Sequence, residues 1–576
     1  MEKIKSIKQF IISLLPLLII ANFFVIVLYY LIGYFEQKNI SETLIYIEPI
    51  FLGVNFALII GSFVLNLKDL RKLLKPINKK VWFSVIAIFL LAFYIRMFVA
   101  PQTHRVFFDE DIYLDIGKEI LTERKACLCN YGDYKGCYEC ILMKWPNGFP
   151  FTVAVAFSIF GISEPVGYAL NIFLGSLSAV LIFLIGYLIS KEVKIGLFAA
   201  LMFALIPQHI VWSSSTASEP MFVFYALLAV FAFLLSFEFN TWWSNLFAIS
   251  SLAFAMQVKT ESGALLALFG LLMLLLDKKL RIKIGTMKFL VPWIIFLVLV
   301  TPYIIHTYHS SKTDPWGSSG KMFGFEFFKE NAPTNTWFWT FGYETIEHPL
   351  LFTIFALIGF IFTFKKEKGI IFFLGIWFMI FFMVYAFFYA GSVRYGTDVR
   401  YSLIGYPPLV LLAGYGVFFL HKNLSKKIKS DLLISSIFVL IIFILGFSFY
   451  YKSVSTMPND ITEANQARIY HDFVVDYAKN LDKNCYILSH VSSIYLVLGK
   501  GSLQTWNGQN EQVMRELFSK TDCVIFDDGF WCNLEPYKSS VCKNIFDKFK
   551  ITPLDSVTAK EGKPTYTLYK IENPYK

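Results

Sequence analysis

The sequence predicts an α-helical protein that crosses a membrane about thirteen times and ends in a small α/β domain. The chain of 576 residues is 56% hydrophobic but only 16% charged, whereas soluble domains carry about 25% charged residues. Apolar runs of about 20 residues, long enough to span a bilayer, recur from Phe10 to Tyr451. The net charge is +10, but the basic residues lie in short loops between these runs. That placement is typical of cytoplasmic loops and excludes a nucleic-acid-binding face.

The segment 1–80 predicts two spans, Phe10–Phe35 and Pro49–Leu67, followed by a strongly basic loop. The positive-inside rule places that loop in the cytoplasm, and the lysines near the start of the chain place the N-terminus there too. The first run is too long for a signal-peptide core and lacks a small-residue cleavage site, so we expect it to be retained.

The segment 81–451 predicts the remaining spans and one helix in the membrane interface. Phe149–Gly161 is apolar but too short for a span, which needs about 20 residues. If it crossed the membrane, every later basic loop would lie outside the cytoplasm, so we expect an interfacial helix. The predicted spans are Val81–Ala100, Pro165–Ser190, Ile195–Trp212, Pro220–Phe237, Ser244–Val258, Ser262–Leu276, Phe289–Tyr308, Leu350–Phe364, Ile370–Ala390, Ser402–Leu420 and Leu432–Tyr451.

The segment 452–576 is polar and predicts a small extracytoplasmic α/β domain, because helical periodicity alternates there with short strand-like runs. Asp527-Asp528-Gly529 ends one predicted strand, where open sheets bind ligands. A strand-ending turn is the favoured explanation of this motif. The predicted helices are Ala464–Leu481 and Glu511–Phe518, and the predicted strands are Cys485–Ser489, Cys523–Phe526 and Tyr566–Ile571.

Three consecutive carboxylates, Asp109, Glu110 and Asp111, follow the span Val81–Ala100 at its predicted extracytoplasmic end. Carboxylates this close to hydrocarbon are costly unless they face water, a cation or a substrate. Acidic residues also suit the first turn of a helix, which is a purely structural explanation. The surrounding residues distinguish the functional explanation from the structural one.

Other ionisable and polar residues converge on the same predicted face. Each has a structural explanation by itself, such as a buried ion pair at a helix break, anchoring to lipid head groups or a helix start. Together they supply cations that stabilise a phosphate leaving group and carboxylates that accept a hydroxyl proton. They are His104, Arg105, Glu219, Lys259, Glu261, Arg394, Asp398, Arg400 and Tyr401.

In their order and spacing, these residues resemble the GT-C superfamily of polytopic glycosyltransferases, in its protein O-mannosyltransferase and aminoarabinose-transferase branch. The resemblance covers residues 81–420 and departs from the family by two extra N-terminal spans, an altered Pro-Pro pair and a cysteine-bearing insert. The stretches that carry it are Asp109-Glu110 with Tyr113, Trp145–Pro150, Phe160–Glu164, Pro207 with Ser218-Glu219, Val258–Glu261, and Arg400-Tyr401 before Pro407-Pro408.

The resemblance implies transfer of a sugar from a polyprenyl-phosphate donor in the membrane to an extracytoplasmic protein, lipid or glycan, by one inverting displacement. No cofactor or metal is expected for this reaction. Asp109 would be the general base with Glu110 as its support, and Asp111 would be a helix-start residue, not a metal ligand. The residues implied for the donor phosphate are Lys259, Arg394, Arg400 and Arg105, and those implied for sugar or acceptor are Glu219, Glu261, Tyr113 and Tyr401.

Two alternatives stay open from the residues. A metal-dependent oligosaccharyltransferase also fits an acidic motif, but the C-terminal domain lacks a Trp-Trp-Asp-Tyr-Gly stretch, for which Asp527–Trp531 is the nearest sequence. A transporter or flippase of lipid-linked sugars fits the number of spans. However, its ionisable residues gather at one face, and no repeat relates the two halves of the chain.

The 8 cysteines fall into two groups, both predicted outside the cytoplasm, where disulfides persist. Cys127, Cys129, Cys137 and Cys140 lie in the first outer loop, 101–164, and are expected to form two disulfides, with a four-cysteine zinc site as the alternative. In the C-terminal domain, Cys532 and Cys542 suggest a local disulfide, and Cys485 and Cys523 begin strands that could be neighbours.

Overall fold

The computed structural model describes residues 16, 19–33, 40–102, 104, 107–275, 286–313, 322–342, 348–364, 367–393, 396–456, 458–533, 538–558 and 565–576. The helices, numbered here in chain order, are α1 Ile19–Gly33, α2 Ile40–Leu74, α3 Lys79–Tyr94, α4 Phe107–Thr122, α5 Gly148–Phe160, α6 Glu164–Ser190, α7 Val193–Ala204, α8 Pro207–Ser213, α9 Ser218–Phe239, α10 Trp242–Val258, α11 Ala264–Leu275, α12 Met287–Thr313, α13 Phe325–Phe341, α14 Leu350–Phe364, α15 Lys368–Phe387, α16 Tyr406–Leu424, α17 Asp431–Thr456, α18 Pro458–Lys479, α19 Ser492–Val497, α20 Glu511–Lys520 and α21 Lys543–Lys548. The strands are β1 Leu128–Asp133, β2 Gly136–Ile141, β3 Tyr486–Ser489, β4 Gly501–Gln504, β5 Val524–Asp528, β6 Ile551–Thr558 and β7 Thr565–Ile571.

A bundle of apolar helices and a small sheet domain make up the protein, as the sequence predicted. Within the described residues, 8 helices are long and apolar enough to cross a membrane, or 9 if the bent pair α7 and α8 is one span. Each predicted span from Pro49 onward is largely helical, but Ile195–Trp212 is divided into the two helices α7 and α8. The count of thirteen stays a prediction because α10, α11 and α14 are short, with 17, 12 and 15 residues. Of the first predicted span, Phe10–Phe35, the described residues include mainly α1.

The bend between α7 and α8 brings the chain to the end of the bundle where α4 begins. The two helices meet at 60°, because Pro207 at the start of α8 has no N–H to continue α7. Arg96, fully buried in a π-helical turn that ends α3, donates to the carbonyl of Ala204 at 3.1 Å and lies 3.1 Å from Nδ1 of His209. The guanidinium therefore holds the break together by satisfying a carbonyl near the end of α7.

The N-terminal segment is fixed to the bundle by a buried polar contact. Glu48, in the N-terminal part of α2, accepts a hydrogen bond from the side chain of Asn147, just before α5. Its other oxygen lies 2.6 Å from Nδ1 of His306 in α12. Since all three side chains are buried, α2 is packed as part of the bundle.

One seven-stranded sheet combines segments that lie far apart in the chain. The strand order is β2-β1-β4-β3-β5-β7-β6. The central strands β4, β3 and β5 are parallel, and the outer pairs are antiparallel. Tyr131 and Gly132 of β1 pair with Leu503 and Ser502 of β4. The insert of the first outer loop thus forms a hairpin that completes the C-terminal sheet, a pairing that the sequence did not predict.

All 8 cysteines form disulfides, which confirms the disulfide expectation over the zinc alternative for the hairpin. Both C-terminal pairs are those suggested by the sequence. The bonds are Cys127–Cys140, Cys129–Cys137, Cys485–Cys523 and Cys532–Cys542.

The motif at the end of β5 belongs to the core of the sheet domain. Asp527 is buried and accepts hydrogen bonds from Tyr470 of α18, from Ser489 at 2.8 Å and from Tyr495 at 2.9 Å. A Cβ at Gly529 would lie 2.9 Å from the hydroxyl of Tyr470, so the turn needs a residue without a side chain. Asp527 therefore docks α18 onto the sheet. The sheet domain lies against the end of the helix bundle at which α4 begins. We call this end of the bundle the domain face.

Candidate functional site

Helix α4 begins at the domain face and carries the acidic motif in its first turn. Glu110 is fully buried and accepts from the backbone N–H of Thr216 at 2.9 Å and from its hydroxyl at 3.0 Å. Thr216 lies in the turn between α8 and α9, so Glu110 joins the start of α4 to that turn. This contact fixes the first turn of α4, which also carries Asp109.

The turn formed by residues 213–218 is a buried polar loop that precedes α9. The side-chain amide of Asn171 donates to the carbonyls of Ser215 and Ala217 at 2.7 and 2.8 Å. A Cβ at Gly167 would lie 2.6 Å from the methyl group of Thr216, so α6 approaches the turn closely. These contacts fix the start of α9 and with it Glu219.

Glu219 is the centre of an ion-pair cluster. Its Oε1 atom lies 2.5 Å from Nζ of Lys259 and 3.0 Å from Nε of Arg400. Glu261 lies 3.9 Å from the same lysine. Lys259 follows the last residue of α10 in an extended conformation and precedes a 3-10 turn, so the predicted helix break is present. Two cations thus share one buried carboxylate at the domain face.

Tyr401 lies against both cations of this cluster. Its ring centre is 5.2 Å from Nζ of Lys259 and 5.0 Å from the guanidinium of Arg400, distances typical of cation–π contacts. Arg400 also donates to the hydroxyl of Tyr401 at 3.2 Å, and Tyr385 stacks on the ring at 5.0 Å. The aromatic ring restricts both cations to positions beside Glu219.

Asp109 lies next to this cluster and is partly buried. Burial raises the pKa of its carboxyl to about 6, with Arg400 opposing the shift and the charges of Glu219 and Glu110 adding to it. A carboxylate with a pKa raised toward neutral accepts protons more readily than an ordinary aspartate. One helical turn later, Tyr113 packs its ring against Trp145 and Phe149.

Seven of the ten candidate residues for catalysis and binding therefore lie around one ion-pair cluster. Glu110 instead contacts Thr216. Arg105 and Arg394 lie outside the described residues. The seven are Asp109, Tyr113, Glu219, Lys259, Glu261, Arg400 and Tyr401.

Asp111 does more than begin a helix. It is buried, and its Oδ1 atom lies 3.5 Å from Nε2 of His471 in α18. His104, Glu164 and Arg468 join the same group, which sequence reasoning missed. The available signal was the rarity of histidine, with 8 in the chain, and the placement of His471 on a helix three residues after Arg468.

The comparisons with known proteins agree with this fold. Residues 144–306 match the family model described as dolichyl-phosphate-mannose-protein mannosyltransferase. The structure is similar to that of ArnT from Cupriavidus metallidurans bound to undecaprenyl phosphate, with a TM-score of 0.53 and 11% identity over 86% of this chain and 99% of that chain. The chain therefore has the GT-C fold of this structure.

A second similar structure is the Archaeoglobus fulgidus oligosaccharyltransferase in its apo form, with a TM-score of 0.50 and 10% identity over 87% of this chain and 75% of that chain. A search among curated protein sequences found no match. At these identities the similarities establish the GT-C fold alone.

Proposed function

We propose that this GT-C enzyme transfers a sugar from a polyprenyl-phosphate donor to an acceptor outside the cytoplasm, in a single inverting displacement. The observation that carries the proposal is the convergence of Lys259 and Arg400 on one carboxylate, Glu219, next to Asp109. Two fixed cations at a membrane face suit a phosphate that is attached to a lipid. A carboxylate beside them suits removal of a proton from the acceptor.

In the proposed reaction, Asp109 takes the proton from the acceptor nucleophile as that atom forms a bond to the anomeric carbon. The bond between the anomeric carbon and the phosphate oxygen breaks, and its electron pair leaves with the polyprenyl phosphate. Lys259 and Arg400 stabilise the negative charge on the leaving phosphate, as preorganised donors do in such sites. The proposed transfer needs no cofactor, because the phosphate is already a good leaving group.

The roles of Glu219 and Glu261 follow from their position. Both lie within ion-pair distance of Lys259, so phosphate binding would have to share the lysine with them or displace one of them. We assign Glu219 to holding the two cations in place before the donor binds. Tyr113 and Tyr401 form part of the walls of the proposed sugar and acceptor site.

The proposed orientation places the N-terminus in the cytoplasm and the domain face outside it, in the cell membrane. Four disulfides support this orientation, since disulfides persist outside the cytoplasm. Labelling of an introduced surface cysteine in the sheet domain of intact cells with an impermeant maleimide would test it.

The test of the function is mass spectrometry of lipids that co-purify with the enzyme, followed by an assay for release of polyprenyl phosphate. We expect a polyprenyl-phosphate sugar in the lipid extract and release of polyprenyl phosphate only when an acceptor is added. A donor that binds but is never released with protein, lipid and glycan acceptors would indicate a flippase. Loss of transfer on chelation, restored by a divalent ion, would favour an oligosaccharyltransferase mechanism.

A further inference from the structure

A second group of ionisable side chains lies beside the proposed catalytic cluster. Nε2 of His104 lies 2.7 Å from Oε1 of Glu164, and Nδ1 of His471 lies 3.8 Å from Oε2 of the same residue. Asp111 approaches His471 at 3.5 Å, and the two imidazole rings are 4.4 Å apart between centroids. The group joins four parts of the chain: the segment before α4, α4 itself, the start of α6, and α18.

The two imidazoles are buried and incompletely partnered. His104 is 1% exposed and His471 is 5% exposed. Among the described residues, neither Nδ1 of His104 nor Nδ1 of His471 has a hydrogen-bond partner. Buried polar atoms of this kind usually find a partner in a folded protein. Imidazoles with unsatisfied nitrogens at two positions of one group indicate that the group binds a ligand.

The formal charges of the group point to the nature of that ligand. Glu110, Asp111 and Glu164 bring three negative charges. Arg468, 2.8 Å from Glu164, brings one positive charge, which it shares with the half-exposed Asp472 at 2.7 Å. With neutral imidazoles, the group therefore keeps at least two negative charges, which is costly in a buried place. Either two protons on the histidines or one divalent cation would balance these charges.

We propose that His104, Asp111 and His471 bind one divalent transition-metal ion of the zinc class, with Glu164 adjacent as a fourth ligand. One ligand atom from each of the first three residues lies within 4.8 Å of the others. Ligand atoms around tetrahedral zinc are about 3.4 Å apart, so the side chains have to approach by about 1 Å through rotation. Two imidazoles with carboxylates favour zinc and similar ions over magnesium or calcium, which prefer all-oxygen sites.

The ion would connect the sheet domain to the catalytic face. His471 belongs to α18, which leads from the last helix of the bundle to the sheet, whereas Asp111 lies two residues after Asp109. The site would therefore hold α18 against α4 and fix the position of the acidic motif. It lies apart from Lys259 and Arg400, and the inference does not depend on the proposed sugar transfer.

The test measures zinc in the full-length enzyme, purified with a histidine-free tag, dialysed against zinc sulfate and then freed of excess metal. We expect about one zinc ion per chain, and at least about a tenfold loss of zinc affinity in His471→Ala and in Asp111→Asn. The matched control is Asp476→Asn, because Asp476 lies on the same helix as His471, is exposed and pairs with Lys479 at 2.8 Å. That variant should keep the zinc of the wild type.

Thermal unfolding gives a second readout that does not depend on activity. Zinc sulfate should raise the Tm of the chelator-treated wild type and of Asp476→Asn, because an ion that binds only the folded state stabilises it. The Tm of His471→Ala should not rise. A wild type that takes up no zinc and shows no shift would overturn the proposal in favour of two protonated histidines. Equal zinc content in wild type and His471→Ala would also overturn it.

Discussion

Nζ of Lys259 lies 2.5 Å from Oε1 of Glu219, so the lysine proposed for the donor phosphate is held by a carboxylate before any donor binds. The pair is largely buried, and Arg400 shares the same carboxylate oxygen. Burying a cation without a partner is costly, which explains why the site contains its own anion. In the proposed reaction, the donor phosphate would have to share Lys259 with this carboxylate or displace it.

Replacing the lysine should weaken the lipid phosphate specifically. In Lys259→Met we expect the affinity for polyprenyl phosphate to fall by about 10- to 100-fold, since a hydrogen bond to a charged group contributes about 1.5–3 kcal/mol. The measurement is lipid binding to the enzyme in nanodiscs by native mass spectrometry. Lys191→Met is the matched control, because Lys191 pairs with Glu238 on an exposed surface. Unchanged affinity in Lys259→Met would remove Lys259 from the phosphate site.

Asp109→Asn should separate chemistry from binding. The amide cannot accept the acceptor proton, so we expect transfer to fall by about 10²- to 10⁴-fold while donor binding stays nearly intact. Single-turnover release of polyprenyl phosphate gives the rate, and native mass spectrometry gives the binding. Asp431→Asn, which alters an exposed pair with Lys194, should leave both unchanged. Near-normal turnover of Asp109→Asn would exclude Asp109 as the base.

The start of α5 is packed so closely that a single methyl group should disturb the site. A Cβ at Gly148 would lie 2.5 Å from the carbonyl oxygen of Gln257, two residues before Lys259. We expect Gly148→Ala to cost about 1–3 kcal/mol through overpacking and to reduce transfer by displacing the lysine. The control is Gly270→Ala, since no atom lies within 4 Å of a Cβ there. A Tm and a turnover equal to those of the control would contradict this prediction.

The disulfides of the hairpin should support its pairing with β4. In the double variant Cys129→Ala and Cys137→Ala, we expect the free energy of unfolding to fall by about 2–4 kcal/mol and the hairpin to become a protease site. Limited proteolysis followed by mass spectrometry locates the cleavage. The double variant Cys532→Ala and Cys542→Ala is the control, because that bond lies outside the hairpin. Cleavage of the hairpin at equal rates in both variants would argue against this support.

The elements that depend on local pattern could be predicted from the sequence, and those that depend on distant partners could not. Apolar runs of the right length predicted the membrane spans from Pro49 onward, since a bilayer accepts few other structures, but they did not predict α13. The hairpin was missed because its partner strand lies far along the chain: Tyr131 pairs with Leu503. Period-2 patterns are weak in strands this short, and pairing is decided by tertiary context.

The candidate site could likewise be predicted only in part. Lys259 and Glu219 were suspected because ionisable groups at span ends are rarely accidental, yet their mutual ion pair was not foreseen. The group around His104 and His471 was missed because its members lie 367 residues apart and belong to elements without a shared motif. Their contact follows from the docking of α18, which depends on Tyr470 and the end of β5.

The pairing of β1 with β4 also limits how the chain can be shortened and in what order it can fold. During synthesis, the hairpin is made long before β4. The edge of β1 that later pairs with β4 therefore stays unpaired while most of the helix bundle is inserted into the membrane. An exposed edge strand is a template for association with other chains. A version that ends before Lys452 would keep that edge permanently, so we expect it to aggregate through β1 and not to behave as an isolated catalytic bundle.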